Sequence, residues 1–470
     1  MDVHIDLSGT RGHRDAIYRQ LRAAILDGRI RPGEALPPTR ELAQRLAVSR
    51  TTVSAAYDRL TAEGFLTGRV GAGTFVTGTS LTRPAPSLVS GVRPLPEWDE
   101  VPSPPAPFAP APEFDFRPGV PDLTRFPFDT WRRLVTQRLR AGQADLMTYG
   151  DPQGLASLRT EIARHIGVSR DVRASAAQVV VTAGAQQTTD LVGRVLLRAG
   201  DVAAVEDPGY PPPRLVLAAR GVRVAPVPVD GSGIVVSAIP AGTRLVYVTP
   251  SHQYPLGVSM SLERRLELLD WAERHDAVLV EDDYDTEFRY TGRPLEPLHS
   301  LDSRGRVVYV GSFSKVLSPA LRLGFLVAPP SLVPALVKAR YLTDWHAPNV
   351  EQAALAAFMA EGGFARHVRR MRKVYRARHE LLSELLAASF ADFLTPLPSS
   401  AGLHLSALAS SDLGGLVRAA RREGVRLYSL GDFAVGERRH GLVFGYGAVA
   451  AERIGPGLAR LRALADGGAG

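Results

Sequence analysis

Only three lysines occur among the 56 basic residues of this 470-residue chain: Lys315, Lys338 and Lys373. Chemistry that needs a lysine amine therefore has three possible places. Lys338 and Lys373 sit in arginine-rich helical stretches and read as solvated surface groups. Lys315 differs. It closes Ser312-Phe313-Ser314-Lys315, directly after the apolar run Val307–Val310. In open α/β sheets, ligands gather at the carboxyl ends of strands. An amine there can form a Schiff base with an aldehyde cofactor. The serines can donate to a phosphate. Arg322, seven residues on, can grip one with two parallel bonds.

Other strand-like runs end in groups of matching chemistry. Ala277–Val280 leads into Glu281-Asp282-Asp283-Tyr284-Asp285. A pyridine-ring cofactor such as pyridoxal 5'-phosphate (PLP) needs a carboxylate opposite its ring nitrogen and gains from a phenol on its ring hydroxyl. Asp282 and Tyr284 fit those roles. Clustered acids also suit magnesium, which takes oxygen ligands. Val179–Thr182 ends in Ala183-Gly184-Ala185-Gln186-Gln187 and opens a helix, whose free N–H groups can bind phosphate. A fourth run ends near Glu206-Asp207-Pro208-Gly209-Tyr210, where Tyr210 either stacks on a ring or packs under its loop.

These ends need a sheet to bring them together. The runs Val179–Thr182, Val202–Val205, Val222–Val229, Leu245–Thr249, Ala277–Val280, Val307–Val310 and Gly324–Ala328 alternate with helical stretches such as Gln186–Leu197 and Leu262–His275. That alternation predicts a doubly wound, mainly parallel α/β sheet. Phe364–Leu386 reads as one long helix with arginines on its solvent side. The last 80 or so residues mix short strands and helices and predict a smaller C-terminal α+β subdomain.

Upstream, ten prolines crowd Arg83–Pro112. Proline fixes φ and removes a donor, so this stretch is expected to be an extended, semi-rigid spacer. Before it lies a small helical unit. Ile17, Leu21, Ala24 and Ile25 have helical spacing, and Gly28 and Pro32 break the helix. Thr39 is expected to cap a short helix with Leu42, Ala43 and Leu46 inside. Ser49 is expected to cap the next, with Val53, Ala56, Tyr57 and Leu60 on one face. Phe65–Val76 reads as a hairpin with Gly71-Ala72-Gly73 at its tip. Two helices joined by Ala47-Val48-Ser49 fit a helix-turn-helix, whose second helix enters the DNA major groove by its first residues. Those are Ser49, Arg50, Thr51 and Thr52, with Arg40 placed for a phosphate. Arg69 and Gly71 would meet the backbone or minor groove.

Composition sets outer limits. There is no cysteine, which excludes disulfides, thiolate catalysis and cysteine-based zinc sites. The net charge of +8 permits nucleic-acid binding without establishing it. No apolar run is long enough for a membrane span, and Met1–Leu7 lacks an apolar signal-peptide core. A cytoplasmic location is the default expectation.

Two longer resemblances organise these readings. Ala16–Val76 resembles the winged helix of the GntR family. Its marks include Pro37-Pro38-Thr39-Arg40-Glu41-Leu42-Ala43, Val48-Ser49-Arg50-Thr51-Thr52-Val53 and Gly71-Ala72-Gly73-Thr74-Phe75-Val76. About Phe114–Leu464 resembles the fold-type I aminotransferases. That resemblance implies Lys315 as the Schiff-base lysine, Asp282 as the pyridinium partner and Tyr284 as the ring-hydroxyl partner. It implies Tyr210 as the stacking aromatic, and Ser312, Ser314 and Arg322 as the phosphate cup, with Gln186 beside it. Tyr149, in Tyr149-Gly150-Asp151-Pro152-Gln153-Gly154, is similar to the tyrosine that reaches the partner subunit's phosphate. The fusion of both modules is similar to the MocR/GabR-type regulators.

The match departs from working aminotransferases. In Thr249-Pro250-Ser251-His252-Gln253-Tyr254-Pro255-Leu256-Gly257, Tyr254 stands where they carry an asparagine. Val443 takes the place of the arginine that clamps a substrate carboxylate, and Ala185 that of a phosphate-cup hydroxyl. Pro211-Pro212-Pro213 follows Tyr210 where GABA-responsive members carry an arginine. The implied function is a PLP-binding, DNA-binding transcription regulator and not an enzyme. PLP, or its aldimine with a small amine or amino acid at Lys315, would be the allosteric signal. The genes controlled would serve vitamin B6 or amine metabolism. The alternative is a competent aminotransferase with an appended DNA-binding module. The implied partners are double-stranded operator DNA and a second copy in a homodimer, with no membrane. Expected boundaries are 11–78 for the winged helix, 79–112 for the linker and 113–470 for the PLP-binding domain.

Overall fold

A computed structural model describes residues 5–7, 12–69, 71–77, 93–99, 101–102, 112–292, 296–436 and 439–467. The chain divides into two compact units, Met1–Leu95 and Pro96–Gly470. Most of the expected proline spacer lies outside the described residues. Its described part includes a short 3-10 turn, Pro96–Asp99.

The first unit holds three helices and a hairpin: α1 (His13–Leu26), α2 (Thr39–Arg45), α3 (Arg50–Ala62), β1 (Leu66–Arg69) and β2 (Gly73–Val76). Their apolar stripes meet in one core of Ile17, Leu21, Leu42, Val53, Leu60 and neighbours. Ser49 caps α3, accepting from Thr52 N at 3.1 Å. Thr39 does not cap α2. The cap position belongs to Pro38, and Thr39 is the first helical residue, because the extended Pro38 backbone already sets the entry into the helix. A third strand-like segment was not foreseen. Leu36 N donates to Thr74 O at 2.8 Å and Gly33 N to Val76 O at 2.9 Å, so residues 33–36 run beside β2.

The second unit is built on an eight-stranded sheet. With β3 at Phe114–Asp115, its strands are β4 (Val179–Thr182), β5 (Val202–Asp207), β6 (Arg223–Asp230), β7 (Gly233–Ile234), β8 (Thr243–Val248), β9 (Val278–Asp283), β10 (Val307–Ser312) and β11 (Gly324–Val327). The order is β4-β11-β10-β9-β8-β5-β6-β7. Neighbours from β10 through β6 pair in parallel, and β11 runs antiparallel to both β10 and β4. The carboxyl ends of β4, β5, β8, β9 and β10 therefore share one edge. Helices cover both faces, which is why these strands are apolar almost throughout.

The remaining strands are β12 (Thr395–Pro396), β13 (His404–Leu408), β14 (Val425–Arg426), β15 (Tyr428–Ser429) and β16 (Gly441–Gly445). Four of them form a small sheet in the order β12-β13-β16-β15, while β14 pairs with β3. The long helix expected at Phe364–Leu386 spans Gly363–Ser389. Its Arg378 is buried and pairs with Asp122 at 2.5 Å, and it donates to Gly447 O at 2.6 Å. Tyr375 on the same helix accepts from Asp122 N at 2.9 Å. These bonds fix the segment that carries Pro118 and Gly119 above the strand ends.

In the first unit the Ser49 cap is also the hub of two hydroxyls, Thr51 and Thr52, each 2.7 Å away. Ser49→Ala is expected to lower the stability of that unit by about 1 kcal/mol, and Ser49→Asp to retain most of it. Urea denaturation of the full chain measures both.

Candidate functional site

One cavity opens at the shared edge. Lys315, Asp282, Tyr284, Tyr210, Tyr254, Ser312, Ser314, Arg322 and Ala185 line it, with Gly119, Gly184, Thr249 and Pro319. Each comes from a strand end or the loop that follows. Sheet topology thus brings together nine residues proposed from sequence, spread over more than a hundred positions.

The cavity is lined by chemically distinct groups. At its floor, Tyr247 donates to Oδ2 of Asp282. The other oxygen, Oδ1, is buried and has no partner. Burial raises the Asp282 carboxyl to about 7, against the Tyr247 bond and the charge of Lys315. Burial also lowers the Lys315 ammonium, against Asp282 and Asp285. A Cβ on Gly119 would lie 3.1 Å from Lys315 Nζ, and Gly119 has φ +74°. Only glycine keeps the amine clear there without backbone strain. An unpaired buried carboxylate oxygen calls for a cationic donor, and a nearby amine of lowered basicity can attack an aldehyde. A ring carrying both a protonated nitrogen and an aldehyde fits this pair.

Ser312, Ser314 and Arg322 share the lining with Gly184 and Ala185 at the start of the helix Ala185–Leu196. Its N-cap is Gly184, with no side-chain cap. A Cβ on Gly324 would meet Gly184 Cα at 2.7 Å, so β11 must carry glycine for this turn to sit down. Arg322 makes no ion pair among the described residues. Free helix N–H groups, two hydroxyls and a guanidinium together suit a phosphate. Aromatic rings form part of the wall: Tyr254 stands edge-on to Tyr210 at 5.5 Å and to Tyr284 at 6.0 Å.

Not every sequence expectation joins the cavity. Gln186 is exposed on the helix and does not line it. Tyr149 is 73% exposed and stacks on Trp345 at 4.3 Å, outside the cavity. Val443 is buried with Val229, Leu256, Leu430 and Phe433. The carboxylates of the acid run do not converge on one point. Glu281 accepts from Leu298 N and His299 N, and Asp283 from Arg170 and Tyr309, on the sheet face opposite Asp282. Among the described residues, His252, Asp285 and His404 are the one His/acid group that converges.

Sequence reasoning missed Tyr247, Thr249 and Gly119. Tyr247 lay inside an assigned strand, but its partner became visible only through the β8–β9 register, which sets Tyr247 opposite Val280. In the first unit, Arg40, Ser49, Arg50, Thr51, Arg69 and Gly71 are exposed, and Thr52 is half-buried. Arg50 Nε donates to Thr39 Oγ1 at 3.4 Å, and Arg69 lies over the Phe75 ring at 4.7 Å.

The Tyr247 bond carries a pH-dependent prediction. Asp282 titrates higher in the fold than in the unfolded chain, so its contribution to stability is lost as pH rises through about 7. Tyr247→Phe removes a bond that lowers this value and moves it further up. Denaturation is expected to show a small cost near pH 6 and about 1–3 kcal/mol near pH 9, where the carboxylate is charged. Equal costs at both values would contradict this assignment.

Comparison with known proteins agrees with both units. The family "Aminotransferase class I and II" matches residues 120–427, and "Bacterial regulatory proteins, gntR family" matches 13–76. The probable rhizopine catabolism regulatory protein MocR of Rhizobium meliloti is 39% identical over 468 residues, 96% of this chain and 93% of that one. The pyridoxine biosynthesis transcriptional regulator PdxR of Corynebacterium glutamicum is 35% identical over 436 residues, 92% of this chain and 91% of that one. Among solved structures, the α-aminoadipate aminotransferase LysN of Thermus thermophilus, complexed with N-(5'-phosphopyridoxyl)-L-leucine, matches with TM-score 0.69 and 30% identity. It covers 75% of this chain and 92% of that one. The chain belongs to the MocR-type GntR-family transcription regulators, which join a helix-turn-helix to a fold-type I aminotransferase domain.

Proposed function

We propose that this regulator holds PLP in the cavity at Lys315 and uses its occupancy to control DNA binding. The observation that carries the reading is Asp282 Oδ1, buried and unpaired in the cavity that Lys315 also lines. Asp282 would hold the ring nitrogen, Tyr284 the ring hydroxyl and Tyr210 the ring face. Ser312, Ser314, Arg322 and the Ala185 turn would hold the phosphate. When bound, PLP supplies an aldehyde carbon and a ring that takes up charge. Tyr149 would reach a neighbouring subunit's site from outside this cavity. Arg40, Ser49, Arg50, Thr51, Thr52, Arg69 and Gly71 would meet operator DNA, with 11–78 as the DNA-binding domain, 79–112 as spacer and 113–470 as sensor.

The cavity favours sensing over turnover. Val443 sits in an apolar cluster where an aminotransferase would carry its carboxylate clamp. The similarity to a pyridoxine biosynthesis regulator makes vitamin B6 genes the first regulon to examine. We take PLP itself as the signal; a PLP–amine adduct is the other form it could take. A homodimer is supported by the apolar surface at Met147, Tyr149 and Leu342, exposed 70, 73 and 78%. Among the described residues, no helix is long and apolar enough to cross a membrane.

A ligand shifts DNA affinity only if it binds two states unequally. The test is a DNA titration with and without PLP, repeated with Lys315→Ala. PLP is expected to change wild-type affinity or footprint and to leave Lys315→Ala unchanged. No PLP effect on wild type would overturn the proposal. In the same assay, Arg40→Ala is expected to weaken all DNA sequences alike and to reduce the log–log salt slope by about one.

PLP affinity should also depend on pH. With Asp282 raised to about 7 and Lys315 lowered, acid protonates both partners of the cofactor. Affinity is therefore expected to rise between about pH 5.5 and about pH 8. Asp282→Asn is expected to reduce affinity about ten- to hundredfold and to flatten that rise. Absorbance titration measures both.

A further inference from the structure

A buried histidine stands behind the phenol at the cavity wall. His252 is 2% exposed and Asp285 is 1% exposed. His252 Nδ1 lies 3.1 Å from both carboxylate oxygens of Asp285. The Tyr284 hydroxyl lies 2.9 Å from the backbone oxygen of His252 and 3.1 Å from its Nδ1. Two glycines leave room for this group. A Cβ on Gly402 would come within 2.2 Å of the imidazole, and one on Gly257 within 3.3 Å of Nε2. The packing is therefore shaped around the ring. Asp285 is held in turn by Leu403 N at 3.3 Å.

Counting protons fixes the roles. A carboxylate only accepts, so Nδ1 carries a proton. Nδ1 lies 3.1 Å from Asp285 and equally from the Tyr284 oxygen, and its proton is shared between these two acceptors. Nε2 is buried without a partner, and a lone pair is cheaper to leave there than an N–H. Burial, then the charge of Asp285, push the Tyr284 phenol well above its ordinary value, so it keeps its proton. That proton goes to the His252 carbonyl. The other ionisable neighbours of His252 are two histidines, His404, whose ring centre is 4.7 Å away, and His379.

We propose that His252 is a positioning residue: braced by Asp285, it sets where the Tyr284 hydroxyl points and which acceptor its proton serves. An acceptor oxygen entering the cavity would take that hydrogen bond from the His252 carbonyl. Tyr284 then carries the ring-hydroxyl contact at a site where Tyr254 has replaced the usual asparagine. This inference rests on the PLP reading above.

The test is a pH titration of the visible absorption of the PLP-loaded full-length chain. A donor on the ring oxygen stabilises the form whose negative charge is no longer offset by a neighbouring proton. Losing that donor raises the midpoint. Tyr284→Phe and His252→Leu are each expected to raise it by about one pH unit. His252→Asn keeps a donor near Nδ1 and is expected to stay close to wild type. The double variant is expected to match Tyr284→Phe alone, because both changes remove one interaction. An unmoved midpoint in His252→Leu with the band intact, or additive shifts in the double variant, overturns the proposal. If His252→Leu does not fold, Asp285→Asn removes the brace at constant volume and is expected to raise the midpoint. An unmoved midpoint there overturns the proposal equally. A wild-type chain with no visible band on PLP addition sinks the cofactor reading, and this inference with it.

Discussion

The cavity of the large unit depends on one buried carboxylate, Asp282, whose second oxygen has no partner. Burying a carboxylate is costly unless something pairs with it. Tyr247 satisfies one oxygen, from the neighbouring strand β8. The other waits at the cavity floor. On the opposite face of the sheet the arrangement differs: Asp283 is fully engaged by Arg170, Tyr309 and Thr286. Adjacent carboxylates of one strand thus have opposite fates. One is tied into the core, and the other keeps an unpaired oxygen at the cavity. Such retained imbalance marks a binding site more clearly than the fold does.

Much of this was legible in the residues. Alternating apolar runs and helical stretches foretold the sheet, and each of the seven runs falls on a strand of it. Lys315, Asp282 and Tyr284 could be named because each follows an apolar run, and a parallel sheet sends such residues to one edge. What stayed hidden depends on register and on long-range packing. Tyr247 meets Asp282 only because β8 and β9 are neighbours, which local pattern does not encode. Gly119 stands over Lys315 because Arg378 holds Asp122 across more than 250 positions of sequence. The strand-like segment 33–36 beside the wing was masked by Gly28 and Pro32, which read as breakers. The cap of α2 was misplaced by one residue, since Pro38 does by backbone geometry what Thr39 was expected to do by hydrogen bonding.

The same comparison separates what the family's two uses of this fold require. On the proposed reading, holding the cofactor would need the carboxylate, the lysine, the hydroxyls with Arg322, and the aromatic wall, and these residues line the cavity. Turning over amino acids needs a clamp as well, and Val443 lies in an apolar cluster instead. On that reading the first set is present and the second is not, which would suit a site that reports occupancy. The small C-terminal sheet packs against the cavity's wall. His404 and Ser406 of β13 both bond the carbonyl of Pro255, in the loop whose Tyr254 forms part of the cavity wall.

Everything rests on the cavity binding PLP through Lys315, and borohydride reduction tests that directly. Full-length protein incubated with PLP, reduced, digested and read by mass spectrometry should carry a pyridoxyl-phosphate adduct on the Lys315 peptide. Lys338 and Lys373 should remain unmodified at the same cofactor level. Absence of the adduct, or equal labelling of all three lysines, would contradict the account.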